Sequence, residues 1–240
     1  MPELERYMLS LLAALDARLR IAVEAFDFND YTRALADFCN EDLSAFYFDI
    51  RKDCLYCDAP SDPKRMAYRT VLDTLFHALV RYAAPVLVFT AEEVWGTRFP
   101  DAESVHLLEW PKLPTRHPGE GRDPAPDVAA LDPGLRREDD LIAKWNSLRK
   151  LRAAVTEATE PLRREKVIRS SLEAQIEIPN AKLHDSVLLE ELFISSTVRT
   201  GDELTVTRTT HHKCGRCWRH LPEVTDDGAL CTRCTEVVGG

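Results

Sequence analysis

Two C-x-x-C pairs near the carboxy terminus, Cys214-Gly215-Arg216-Cys217 and Cys231-Thr232-Arg233-Cys234, constrain this chain more than any other feature. Thirteen residues separate the pairs, enough for the chain to return and close four thiolates around one zinc ion. A module this small buries too little apolar surface to fold alone, so metal would supply most of its stability. Protein fills all four ligand positions and leaves none for water, which marks the expected zinc as structural. Gly215 is expected to relax the first turn, where backbone N–H groups crowd toward the sulfurs. Two disulfides are the competing use of these cysteines, and His211 or His212 are the competing ligands. Seven cysteines, an odd number, without a signal peptide or a long apolar run, fit a reducing cytosol and favour metal. The expected location is cytoplasmic, with no membrane partner.

The expected knuckles carry a distinctive surface. No acidic residue occurs from Leu204 to Pro222, whereas Arg208, Lys213, Arg216 and Arg219 are cationic. Trp218 lies among them. An indole beside guanidinium groups on a rigid turn can stack an unpaired base and hold its phosphate. Trp218 capping a small core, with solvated cations around it, is the alternative. The formal net charge of −9 argues against uniform coating of nucleic acid and leaves room for a local basic face on an acidic body.

Upstream, Leu4, Tyr7, Met8, Leu11, Leu12, Leu15 and Leu19 recur at three and four residues, predicting a helix with one buried face. Asn29 is the expected cap of a second helix, whose stripe of Tyr31, Leu35 and Phe38 continues through Leu43, Phe46, Tyr47 and Ile50 after a kink near Asn40. Asp62 and Pro63 open a third, with Val71, Leu72, Leu75, Leu79 and Tyr82 inward and Pro85 ending it. Thr90-Ala91-Glu92-Glu93 reads as a capping box launching a helix with Val94 and Trp95. Short connections between such helices predict an antiparallel bundle. Seven of the fourteen prolines then fall between positions 100 and 133, predicting a linker or wrapped segment.

Asp132 and Pro133 start another helix through Leu141, Trp145, Leu148, Leu151 and Val155, and Pro161, capped by Thr159, opens a short one. Arg149, Lys150 and Arg152 belong to a basic run that reads as a solvated face or as part of an RNA groove with the knuckle. Strands are expected at 175–179, near Phe193-Ile194-Ser195-Ser196 and at 204–207, with a helix over 185–192. The fold class is therefore mainly α: an antiparallel helical bundle (1–113), a proline-rich linker (114–131), a helix with a small α+β junction (132–208) and a four-cysteine zinc ribbon (209–240). Cys54-Leu55-Tyr56-Cys57 reads as two partly buried small side chains rather than a redox or metal pair. No nucleophile elbow, Walker loop or dinucleotide fingerprint occurs, and no catalytic residue is assigned.

Leu43-Ser44-Ala45-Phe46-Tyr47-Phe48-Asp49-Ile50-Arg51-Lys52-Asp53, with Leu55-Tyr56-Cys57-Asp58, closely resembles the anticodon-binding bundle of bacterial isoleucyl-tRNA synthetases, a class I family. Phe89-Thr90-Ala91-Glu92-Glu93-Val94-Trp95 is similar to a segment shared with the valyl and leucyl enzymes, and Ser170-Ser171-Leu172-Glu173-Ala174 to the junction that follows. Lys213-Cys214-Gly215-Arg216-Cys217-Trp218 resembles the family's carboxy-terminal zinc finger. The resemblance covers nearly the whole chain and implies its tRNA-recognition end, with the tRNA(Ile) anticodon stem-loop and the enzyme's own catalytic and editing domains as partners. By that resemblance, Arg216 and Trp218 contact bases and Lys213 and Arg219 hold phosphates, as do Arg149, Lys150 and Arg152. The family's two ATP-binding loops and its editing domain are absent from these residues, so ATP and Mg2+ are expected only in a catalytic domain elsewhere. The fragment itself is expected to be non-catalytic. Two departures stand out: Arg169 occupies a place where the family usually has glycine, and 114–131 reads as an insertion. A free-standing zinc-ribbon adaptor binding a protein partner is the competing reading.

Overall fold

The computed structural model describes residues 1–113, 133–179 and 185–239, and it is mainly helical with a small sheet. Its contacts group the chain into two units, Met1–Tyr47 with Met66–Ile142, and Phe48–Arg65 with Ala143–Gly240. The expected 114–131 insertion lies outside the described residues.

In the first unit, α1 (Glu3–Glu24) buries the predicted stripe of Leu4, Tyr7, Met8, Leu12, Leu15 and Leu19. The next helix, α2 (Phe28–Asp37), begins one residue before Asn29. Its cap is Asp27, whose Oδ1 accepts from the Asp30 N–H at 2.9 Å. Instead of a kink at Asn40, residues Phe38–Phe48 wind as a π-helix. Phe38 and Leu43 are five residues apart, a step that α winding does not repeat; the wider turn brings them inward with Phe46 and Tyr47. Val71, Leu75, Ala78 and Tyr82 of α4 (Pro63–Ala83) add to this core. The expected capping box fails: α5 runs Val88–Arg98, so Thr90 is already inside the helix. The Glu92 carboxylate instead accepts from Ser104 Oγ (2.8 Å) and from the Val105 N–H (3.0 Å).

The second unit contains α3 (Asp49–Cys57) and the Asp62 turn, where Oδ1 accepts from the Lys64 and Arg65 N–H groups as the sequence predicts. Its long helix belongs to α6 (Pro133–Arg164), which buries Trp145, Leu148 and Val155. Pro161 does not open a separate helix. It sits in the last turn of α6, where its lost N–H costs a single ladder bond, and Thr159 Oγ1 donates back to the Val155 carbonyl (2.6 Å). Strand β1 (Ala174–Ile178) is central, parallel to β2 (Thr197–Thr200) and antiparallel to β3 (Thr205–Arg208). Alternation along β1 buries Ala174, Ile176 and Ile178. Helix α7 (Ser186–Phe193) ends with Ile194 left-handed at φ 54°, its N–H donating to Glu191 and the Ser195 N–H to Glu190. That cap displaces the second strand from the expected 193–196 to 197–200.

Candidate metal centre and nucleic-acid interface

The last thirty residues are organised by a two-stranded hairpin, β4 (His212–Lys213) against β5 (His220–Leu221), and by α8 (Thr232–Gly239). The first knuckle closes as the Cys214 N–H donates to the Arg219 carbonyl (2.9 Å) and the Trp218 N–H to the Cys214 carbonyl (3.1 Å). Gly215 is required for a reason other than the expected one. A Cβ there would lie 2.4 Å from the Gly228 carbonyl oxygen, so the two loops meet backbone to backbone. Gly228 itself has φ 96°, and its N–H donates to the Lys213 carbonyl (2.9 Å). The second knuckle is the start of α8, which places Cys234 one turn from Cys231.

These devices gather the four predicted sulfurs. Cys214, Cys217, Cys231 and Cys234 are all buried, and their sulfurs lie within 4.8 Å of one another. Cys217 Sγ and Cys231 Sγ are 3.8 Å apart. A tetrahedron with metal–sulfur bonds of about 2.3 Å has edges of roughly this length, whereas a disulfide needs about 2.05 Å. All seven cysteines are free, so the disulfide alternative is not realised. Burial opposes ionisation of the Cys214 thiol, but N–H groups of Cys231, Arg216 and Cys217 outweigh it and hold its pKa at about 6. The donor set fits a soft divalent cation such as zinc. The histidines considered as ligands lie elsewhere: His212 pairs with Asp227 (3.4 Å), and His211 offers its carbonyl to His220 Nδ1 (2.9 Å).

The predicted RNA-contact residues lie on the first knuckle and on α6. Trp218 is 60% exposed, and the Lys213 ammonium sits 5.1 Å from its ring centroid. Lys150 is exposed on α6, and Arg149 lies half-buried beside it. Arg216, Arg219 and Arg152 each have protein acceptors. Arg216 Nη1 donates to the Cys57 carbonyl (2.7 Å) and to Cys234 Sγ (3.6 Å), and its Nη2 to the Tyr56 carbonyl (3.3 Å). Arg219 pairs with Glu190 at 3.3 Å. Arg152 pairs with Asp49 at 2.6 Å and donates to the Leu192 carbonyl. A groove of about 520 Å³ opens here, lined by Tyr56, Cys57, Ile194, Arg216, Trp218 and Arg219 among others.

Four residues beside this centre were not assigned to it from the sequence. Arg233 forks onto Asp53 (2.7 and 3.0 Å) and reaches Asp58 (2.8 Å), while Cys57 packs into the same buried cluster as the four cysteines. Burial opposes ionisation of Asp53, but the Arg233 hydrogen bonds and charge outweigh it and hold its carboxyl below the usual range. One signal was available: each knuckle carries arginine immediately before its second cysteine.

A family model described as the anticodon-binding domain of tRNA ligase matches residues 5–178. The isoleucine–tRNA ligase of Zymomonas mobilis is 52% identical across an alignment spanning all of this chain and 25% of that protein. Those of Gluconobacter oxydans and Agrobacterium fabrum are each 42% identical, over 99% and 95% of this chain and 24% of each relative. The chain thus spans about a quarter of the length of the curated relatives it matches. A helical region matched by an anticodon-binding model, followed by a four-cysteine centre and alike from end to end to isoleucine–tRNA ligases, belongs to the anticodon-binding family of tRNA ligases.

Proposed function

We propose that this chain is the tRNA-recognition region of an isoleucine–tRNA ligase acting in the cytoplasm, and that its partner is the tRNA(Ile) anticodon stem-loop. The helices of the first unit form an antiparallel bundle that grips the stem, and the four cysteines hold one structural zinc in a ribbon that meets the loop. Activation of isoleucine with ATP and Mg2+, transfer to tRNA and editing of valine belong to the rest of the parent enzyme. Editing is needed there because one methylene discriminates by only about 1–3 kcal/mol.

The observation that carries this reading is Trp218, an exposed indole on a fixed turn with the Lys213 ammonium over its face. Indole stacks a base whatever its identity, and the neighbouring ammonium is placed for a phosphate. Lys150 and Arg149 extend the cationic face along α6. Arg216, Arg219 and Arg152, the other residues expected at base and phosphate, are each held in place by protein acceptors that use part of their five donors. Those acceptors fix the shape of the surface from which these arginines would meet RNA.

The test is a titration of a labelled isoleucine-anticodon stem-loop against a scrambled loop, at two salt concentrations, with and without chelator. Preferential binding that weakens with salt and with metal removal is expected. Equal, weak binding to both loops would overturn the assignment.

A further inference from the structure

The knuckles and the end of α3 face each other with acceptors on both sides. From α3 come the Tyr56 and Cys57 carbonyls and the carboxylates of Asp53 and Asp58, and the last turn of this helix contains no basic residue. From the knuckles come sulfurs, which are anionic when they ligate a metal. Two acceptor surfaces cannot bond to each other, and a helix carboxy terminus near thiolates is repulsive. Guanidinium offers donors alone, five in a planar fork, and can serve both sides at once.

Both knuckle arginines reach α3 or its cap, and Arg216 also crosses to the other knuckle's ligand. Arg216, from the first knuckle, donates to the Cys57 carbonyl on α3 and to the sulfur of Cys234 in the second. Arg233, from the second knuckle and adjacent to the ligand Cys234, holds Asp53 and Asp58. Cys57, only 7% exposed, is covered by the same cluster.

We propose that Arg216 and Arg233 are positioning residues that couple metal occupancy of the four cysteines to docking of the knuckles on the last turn of α3, so that the groove rimmed by Tyr56 and Trp218 exists only in the metal-loaded chain. Charge-assisted bonds to thiolate are stronger than bonds to neutral thiol, so loading tightens docking. Linkage then requires docking to tighten metal binding by the same factor. The inference rests on the metal reading of the four cysteines and stands apart from RNA binding.

The experiment uses the 240-residue chain, with zinc stoichiometry measured first; a chain that takes up no zinc refutes the metal reading itself. Zinc affinity is then measured by competition with a chromophoric chelator, and alkylation of each cysteine is mapped by mass spectrometry. The informative variant is Asp53→Asn, which alters α3 and no residue of the knuckles. It is expected to weaken zinc binding at least threefold and to raise Cys57 alkylation in the loaded protein, while buried Cys54 stays protected as an internal control. Arg233→Gln is expected to do the same more strongly, and Arg233→Lys, which keeps charge without the fork, to recover only part. Chelation of the wild type should expose Cys57 at least tenfold. Zinc affinity unchanged in Asp53→Asn, or Cys57 reactivity indifferent to chelator, would overturn the coupling.

Discussion

The two units of this molecule differ in how much of their geometry is left to directional polar contacts. The first is held by a continuous apolar interior drawn from helices, with Leu4, Tyr7, Met8, Leu12, Leu19, Tyr47, Val71, Leu75 and Tyr82 all at or below 2% exposure. Its chief polar hub is Asp16, which accepts from Arg20 (2.8 Å), Tyr82 (2.6 Å) and Trp110 (2.6 Å). The second unit also buries Trp145, Ile168, Ile176 and Leu189 around α6 and the sheet, but its short elements are stitched by directional donors: Arg51 and Lys64 on Glu191, Arg152 on Asp49, Arg219 on Glu190 and Arg233 on Asp53 and Asp58. Long amphipathic helices bury enough surface to specify their own packing. A nine-residue helix and a pair of knuckles do not, and geometry there is set by forks and, as proposed, by metal.

Chelation should divide the units most sharply. Structural zinc contributes about 10–16 kcal/mol of apparent folding free energy in small modules, so metal removal is expected to unfold the knuckles while the helical circular dichroism of the first unit persists. Loss of both signals together would abolish the contrast. Leu75→Ala, at a fully buried site of the first unit, should destabilise by about 2–5 kcal/mol in chemical denaturation and leave zinc stoichiometry unchanged. Trp218→Ala reverses the pattern: stability within about 0.5 kcal/mol of wild type, but stem-loop binding weaker by about 1–3 kcal/mol. A folded variant that binds as well as the parent would remove Trp218 from the interface.

Acid supplies the smallest and most selective probe. Burial opposes ionisation of Asp16, but hydrogen bonds from Arg20, Tyr82 and Trp110 outweigh it, so its folded pKa is lowered. The stability it adds is therefore fully present above the unfolded carboxylate value of about 3.9 and is lost as pH falls through the lower folded value. Asp16→Asn should flatten the acid limb of the first unit's stability curve, read by denaturant titration between pH 5 and pH 2 (roughly the window of carboxylate protonation). An unaltered limb would show that the hub is indifferent to charge.

What the sequence disclosed follows the same division. The stripe of α1 and the alternation of β1 were legible because burial repeats with the period of the element, and Asp62-Pro63 because capping is local. The four cysteines were legible because ligand spacing is chemical. The π winding at Phe38–Phe48 was not, since its five-residue step is a property of the packed helix. Thr90 and Glu93 had the letters of a capping box without its position, because the chain enters α5 two residues earlier, at Val88. Least legible was the α3 contact: Asp53 and Arg233 are 180 residues apart, and a fork between distant residues leaves no periodic trace.

Trp218 occupies left-handed backbone space at φ 65°, a conformation that disfavours bulky side chains by about 1–2 kcal/mol relative to glycine. The turn imposes this, since its N–H must reach back to the Cys214 carbonyl. A sequence chosen for stability alone would put glycine at this position and tighten the knuckle. Keeping the largest side chain where the smallest fits best means that the turn sets the direction in which the Cα–Cβ bond leaves the backbone. Position 218 thus points outward from a fixed backbone, suited to carrying an environment-sensitive fluorophore that would report on whatever the surface touches.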